Sequence, residues 1–256
     1  WPPFTHALAR HGATLLELHK DPSKHPALLA IGEAHAQKGA TVASSAKRMT
    51  VQLLPELKGK ASDLLVELMN PPSGCNKTTA FVKDQQKVVT GKQAESDQNE
   101  YAKMGEAARA LGIVPDLLRP TCDDLQAIAD AGADAIDLSL RTIRRLTLTK
   151  LEALRERDGK SASDSSKLVL SYGGAIHNDL APPPELAAWA FGPELATYTH
   201  DRYVELDLYV PEFIAPTDNW KKQEWYGDWE ACKGTDKVTL FHPRDHGFVM
   251  IFAKSP

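Results

Sequence analysis

Two tetrapeptides, Gly32-Glu33-Ala34-His35 and Gly174-Ala175-Ile176-His177, each follow a short apolar run and place a histidine three positions beyond a glycine. The runs, Leu28-Leu29-Ala30-Ile31 and Leu168-Val169-Leu170-Ser171-Tyr172, read as buried strands. In an open α/β sheet the crevice beyond the strand carboxyl ends is where ligands bind, so histidines 142 positions apart are expected to face one pocket. Glycine in such a turn permits a tight backbone and a close approach by a ligand. Glu33 and His35 are two positions apart, which in extended chain puts both side chains on one side. Glu67, an acid inside the apolar run Leu64-Leu65-Val66-Glu67-Leu68-Met69, is expected to join them, together with His177 and Asp179.

Such a cluster supports two chemistries. Imidazole and carboxylate ligands, here His35, Glu67 and His177, hold a divalent ion (manganese, cobalt or zinc) that polarises a carbonyl and acidifies bound water. Without metal, a histidine activates water while a buried carboxylate orients it. Either way Glu33, His35, Glu67 and His177 are the expected catalytic set, and Tyr172, Asn178, Asp179 and Trp225 the expected substrate contacts. Asn178 and Asp179 read equally well as turn residues. Trp220, Trp225, Tyr226 and Trp229 suit either stacking on a planar substrate or haem, or anchoring a long loop. His242, Asp245 and His246 would suit a metal but fit an ordinary polar hairpin loop as well, and His6, His11, His19 and His25 share no ligand spacing.

The elements that position these residues alternate between strand-like runs and helical stretches, which predicts an α/β domain with a mixed sheet, parallel early and antiparallel late, flanked by helices. An arm over residues 1–27 precedes a single domain over 28–256. Val42, Ala46, Met49 and Leu53 make one face of a helix that bends or ends near Pro55. The polar stretch over 70–99 reads as an inserted loop with at most a short helix, a candidate lid at the substrate entrance. Tyr101, Met104, Ala108 and Leu111 return to helical spacing before Gly112, with a short strand around Ile113-Val114. Thr121 followed by Cys122-Asp123-Asp124 marks a helix start. Asp137 to Arg157 continues in helical spacing, with Arg141, Arg144, Arg145 and Lys150 on a solvated face. Val204-Glu205-Leu206-Asp207-Leu208 alternates as a half-exposed strand would, and Val238 to Phe241 and Phe248 to Phe252 form a closing hairpin.

Composition narrows the partners. With 256 residues and 42% hydrophobic content the chain can bury a sizeable core. A net charge of -4, from 30 basic and 34 acidic residues, offers no whole-chain attraction to nucleic acid or an anionic membrane, and no apolar run is long enough to span a bilayer. The expected partner is a small molecule or peptide, with oligomeric state left open. Cys75, Cys122 and Cys232 show no Cys-x-x-Cys spacing, which leaves either one disulfide plus a free thiol or three thiols. The start at Trp1 fits either a removed leader or a trimmed chain, with an exported or periplasmic setting slightly favoured.

Paired, widely spaced Gly-x-x-His motifs with an intervening strand glutamate resemble the superfamily that joins Tiki proteases, TraB and GumN proteins, ChaN-like haem-binding lipoproteins and, more remotely, erythromycin esterases. Ile31-Gly32-Glu33-Ala34-His35 is similar to the Gly-Glu-x-His start of ChaN-like members, Leu65-Val66-Glu67 to their second-strand glutamate, and Gly174-Ala175-Ile176-His177-Asn178 to the late motif. The resemblance spans roughly Leu28 to Phe252 and implies a site at the strand ends built from Glu33, His35, Glu67 and His177. It implies either a hydrolase, metal-assisted or metal-free, acting on an amide or ester bond, or a haem-binding protein without turnover. The chain has fewer residues between the first glutamate and histidine than the esterases do. Some branches carry a site arginine, for which Arg48, Arg119 and Arg145 are the candidates.

Overall fold

A computed structural model describes residues 26–94, 97–159, 167–233 and 237–255. Its strands are β1 (Leu28–Glu33), β2 (Ala61–Met69), β3 (Val114–Leu118), β4 (Leu168–Gly174), β5 (Tyr203–Tyr209), β6 (Thr239–Arg244) and β7 (Gly247–Ile251). The helices are α1 (Ser45–Arg48), α2 (Asn76–Thr90), α3 (Asp97–Ala110), α4 (Cys122–Asp130), α5 (Ala135–Gly159), α6 (Ala175–Asn178), α7 (Gly192–Tyr198), α8 (Asp218–Lys221) and α9 (Tyr226–Cys232). All seven strands join one sheet in the order β3-β2-β4-β1-β5-β7-β6. Every neighbour pair is parallel except the antiparallel β6-β7 hairpin. The α/β class with a mixed sheet is therefore as expected, although the parallel part extends later than the sequence suggests, because β7 pairs in parallel with β5.

β1 and β4 are buried along nearly their whole length, since helices cover both faces of a parallel sheet and leave no position for polar alternation. On one face Leu29, Ile31, Leu64, Val66, Leu170 and Leu206 pack with Met49 and Leu53 and with Met104 of α3. On the other, Leu28, Ala30, Leu65 and Val169 meet Leu148, Leu151 and Leu154 of α5 and Leu195 of α7. Each such side chain removed from water contributes about 1.5–3 kcal/mol. β1 lies between β4 and β5 at the centre, in register so that Gly32 faces Gly173 and Glu33 faces Gly174. The two Gly-x-x-His segments thus leave adjacent strands at the same end of the sheet.

Two expectations are corrected, and a third, a helix that bends or ends near Pro55, holds. β5 is buried at all seven positions rather than half-exposed, because it runs between β1 and β7 under cover on both sides. The 70–99 segment is mostly helix: α2 spans 15 residues and buries Val82 against Ile128 and Ala135 in a small cluster of its own. So narrow an apolar face leaves little periodicity to read. The helix after Val42 changes winding, from α1 through a wide π turn at Met49–Leu53 to a tight turn at Leu54–Leu57 that contains Pro55.

Elsewhere the local signals match. Thr121 caps α4 in a reciprocal box: its Oγ1 accepts from Asp124 N (3.1 Å) and Asp124 Oδ2 accepts from Thr121 N (2.9 Å). On α5, Arg145 pairs with Asp124, Arg144 with Glu194 and Arg141 with Asp137, as a solvated basic face should. Cys75 and Cys122 form a disulfide, and Cys232 is a free thiol. The bridge joins the turn before α2 to the first residue of α4 across 47 positions, a closure that by chain entropy contributes about 4 kcal/mol. The arm histidines His6, His11, His19 and His25 and most of the 160–167 linker lie outside the described residues. No helix among the described residues is long and apolar enough to cross a membrane.

Candidate functional site

Glu33 is the last residue of β1, and its carboxylate is buried. Three donors surround it. Tyr101 on α3 donates its O–H to Oε1 (2.7 Å), Tyr172 on β4 donates to Oε2 (2.5 Å), and His35 Nδ1 lies 3.0 Å from Oε1. Burial, followed by the neighbouring carboxylate, pushes the Tyr172 phenol well above its usual range, so it remains a donor. With Nδ1 directed at the Glu33 carboxylate, Nε2 is the ring nitrogen turned away from the acid. The acid is 2% exposed and the imidazole 27%, so the carboxylate stays behind while the ring reaches the cavity. Backbone bonds Lys38 N to Lys92 O and Ala94 N to Ala36 O (both 2.8 Å) tie the loop after His35 to the segment after α2.

The second motif is built differently. After β4 the chain turns at once into the short α6, so His177 sits on a helical turn and not in extended chain. Its Nδ1 faces Trp189 O at 2.8 Å; a carbonyl only accepts, so Nδ1 carries the proton. Nε2 then faces Glu67 Oε1 at 3.7 Å. Glu67 Oε2 accepts from Gly174 N (2.9 Å). Gly173 makes this possible: a Cβ there would stand 2.1 Å from Glu67 Oε2 and 2.7 Å from Glu67 Cβ. Here the histidine is 3% exposed and the acid 17%, the reverse of the first pair.

Glu33, His35, Glu67 and His177 all line one cavity of about 570 Å³ at the carboxyl ends of β1, β2 and β4. Its walls are α2, α5 and the Asn219–Gln223 segment, so the 70–99 stretch and the start of the aromatic segment both border it. The cavity thus lies at the carboxyl ends of the parallel strands, the end at which open α/β sheets bind ligands.

The expected substrate contacts lie elsewhere. Tyr172 is fully buried behind Glu33. Asn178 is buried under β1 and donates to Ala30 O (3.3 Å) and Asp207 Oδ1 (3.0 Å). Asp179 accepts from Arg244 Nη1 (3.0 Å). Trp225 is the hub of an aromatic cluster, stacked 5.2 Å from Tyr209 and flanked by Trp220, Trp229 and Phe241. It is Trp220 that reaches the cavity wall, because Trp225 is occupied on all sides by other rings. The candidate arginines are structural. Arg48 ties the chain end through Ala253 O (2.7 Å) and Ser255 Oγ (2.8 Å), Arg119 pairs with Asp116, and Arg145 with Asp124.

The expected metal centre does not fit the arrangement. Among the described residues no group of three His, Cys, Asp or Glu side chains is placed to hold a metal ion. His35, Glu67 and His177 share the cavity without forming such a group of three, and only Glu67 Oε1 and His177 Nε2, 3.7 Å apart, approach one another.

Two groups had weaker signals in the sequence. Tyr101 looked like one more apolar helix position, although it supplies a phenol to Glu33. Glu205 and Asp207 looked solvent-facing, yet they form a buried acid pair beneath Asn178 and Asp179. Glu205 Oε2 accepts from Leu180 N (2.8 Å), and Asp207 Oδ2 from Tyr209 O–H (2.9 Å). Burial, reinforced by the partner's charge, raises the Glu205 carboxyl, and burial raises Asp207 as well. Two acids alternating between aromatics at Tyr203 and Tyr209 were the available hint.

No protein-family model and no curated protein matches the chain. A crystal structure of a Bacillus cereus protein is similar at 11% identity over 93% of this chain and 91% of that chain, with a TM-score of 0.42. A likeness that distant carries no argument, and the functional reading rests on the site.

Proposed function

We propose that this protein is a hydrolase that cleaves an ester or amide bond without a metal, with His35 as general base and Glu33 as the group that orients it. The observation that carries the reading is the buried Glu33 carboxylate, held by Tyr101 and Tyr172 and bonded to the Nδ1 side of a histidine that lines the cavity. His35 Nε2 takes a proton from water as its oxygen adds to the substrate carbonyl, and returns it to the leaving oxygen or nitrogen when the tetrahedral adduct collapses. Glu33 stabilises the transient imidazolium. Glu67 and His177, 3.7 Å apart, line the same cavity, with the more exposed Glu67 carboxylate available to bind a polar group of the substrate. The resemblance to a superfamily that includes hydrolases is in keeping with this.

The test is hydrolysis of p-nitrophenyl esters and aminoacyl anilides by wild type, His35→Ala and Glu33→Gln. His35→Ala should lower kcat by about a thousandfold with an unchanged thermal transition, the scale of a lost general base. Chelators should leave the wild-type rate unchanged. Wild-type activity restored only by manganese, cobalt or zinc would replace the metal-free version with a metal-assisted one. A Soret band on adding haem, with no turnover of any ester or anilide, would replace hydrolysis with haem binding.

A further inference from the structure

The outer half of the cavity is built from half-buried apolar side chains. Ile136, Leu140 and Ile143 recur at spacings of four and three on α5, which puts them on one helical face, and all three line the cavity. None is fully buried, although the helix's later apolar residues Leu148, Leu151 and Leu154 are. Opposite them α2 presents Thr79, Val82, Lys83, Gln86 and Thr90, again on one face by spacing. β2 shows the same change: buried through Val66, it becomes half-buried at Glu67, Leu68 and Met69, where the cavity begins. Among the described residues this apolar stripe on a long helix faces a gap and not a packed neighbour, and an apolar ligand would supply the contacts.

The polar groups around this stripe are sparse. Among the described residues that line the cavity there is one lysine, the exposed Lys83, and no arginine. Thr79 Oγ1 is buried on the α2 side without a hydrogen-bond partner among the described residues. The Gln86 amide is engaged with Ser139 Oγ across the α2–α5 gap (3.2 Å). A charged ligand body would lose its hydration against the apolar wall with nothing to replace it. The volume, about 570 Å³, lies in the range of pockets for small molecules. The disulfide ties the start of the α2 wall to α4, since Cys75 precedes α2 and Cys122 opens α4, which contributes Leu125 to the lining.

We infer that the occupant is an uncharged small molecule with an elongated apolar body lying between α2 and α5, its reacting carbonyl at His35 and a hydrogen-bonding substituent at Thr79. The identity of the reacting group rests on the hydrolase reading; the apolar body does not.

Binding can be read without turnover. N-phenyl-1-naphthylamine, an uncharged fluorescent probe, is titrated onto the full chain and displaced by the homologous ketones from 2-butanone to 2-dodecanone, which carry a carbonyl but no cleavable bond. Affinity should rise about fourfold for each added methylene until the cavity is filled, the increment expected for burying one CH₂. Ile143→Lys should weaken probe and ketone by about tenfold or more, with an unchanged far-ultraviolet spectrum. Thr79→Val, a milder change, should leave the simple ketones bound while weakening hydroxylated ones. Flat affinity along the series overturns the inference, as does affinity that a folded Ile143→Lys leaves untouched. A wild type that binds the series as described but hydrolyses no ester overturns the hydrolase reading alone.

Discussion

The same tetrapeptide, Gly-x-x-His, is used in two opposite ways on neighbouring strands. At the end of β1 the acid is buried and the histidine reaches the cavity; at β4 the histidine is buried and its acid partner, Glu67 from β2, faces the cavity. The cause is local. Chain that stays extended after Glu33 carries His35 on the same side as its carboxylate, within a 3.0 Å contact. Chain that coils at Ala175 turns His177 back to the Trp189 carbonyl and leaves it 3.7 Å from Glu67. Only in the first pair is the imidazole the more exposed partner, 27% against 2% for its acid, where the second pair has 3% against 17%.

Their foundations differ as well. The first pair rests on two tyrosine hydroxyls. The residues just after the second rest on the buried acids Glu205 and Asp207, and that contrast is open to a pH test. Burial and the neighbouring Asp207 charge push Glu205 up to about 8. Because the folded chain holds that proton more tightly than the unfolded chain does, stability is greatest below the ordinary glutamate range and is lost as pH climbs toward 8. Urea unfolding across pH 4.5 to 8 should show a fall on the order of a few kcal/mol, flattened in Glu205→Gln. A fall of equal size in that variant would assign the pH dependence to other groups.

Glycines beside the two pairs provide a smaller break. Gly173→Ala would drive a methyl into the Glu67 side chain and should cost about 1–3 kcal/mol. A Cβ at Gly174 meets its nearest neighbour, His35 Nε2, at 3.4 Å. Gly174→Ala should therefore leave the thermal transition nearly in place while slowing hydrolysis through the displaced ring. Equal losses of stability in both variants would erase the distinction between the two sides.

The smallest effects belong to the tyrosines. Tyr172→Phe and Tyr101→Phe each remove one donor from Glu33 and should each cost about 1 kcal/mol. Both should move the pH profile of kcat, because the carboxylate orients the base, while KM stays close to wild type. An unmoved profile would reduce the two hydroxyls to packing.

Much of this was legible along the chain. The β1 and β4 runs, the capped start of α4 and the closing hairpin were readable because each is a short-range pattern. The same local rule failed for α2, where few apolar residues mark the face, and for β5, where Glu205 and Asp207 imitate a solvent-facing alternation although both are buried. Trp225 was chosen over Trp220 because sequence shows an aromatic cluster but not which ring lies at its edge.

By itself the sequence determined the α/β order of elements, the placement of both histidines at strand ends and the acid within the second strand, since backbone periodicity and glycine turns act over a few residues. The tertiary structure alone decided that Tyr101 and Tyr172 converge on Glu33, that Gly173 makes room for Glu67, and that two identical motifs bury opposite partners. Those outcomes depend on strand order and on which face each chain segment covers, and contacts between residues dozens of positions apart leave no period in the sequence to read.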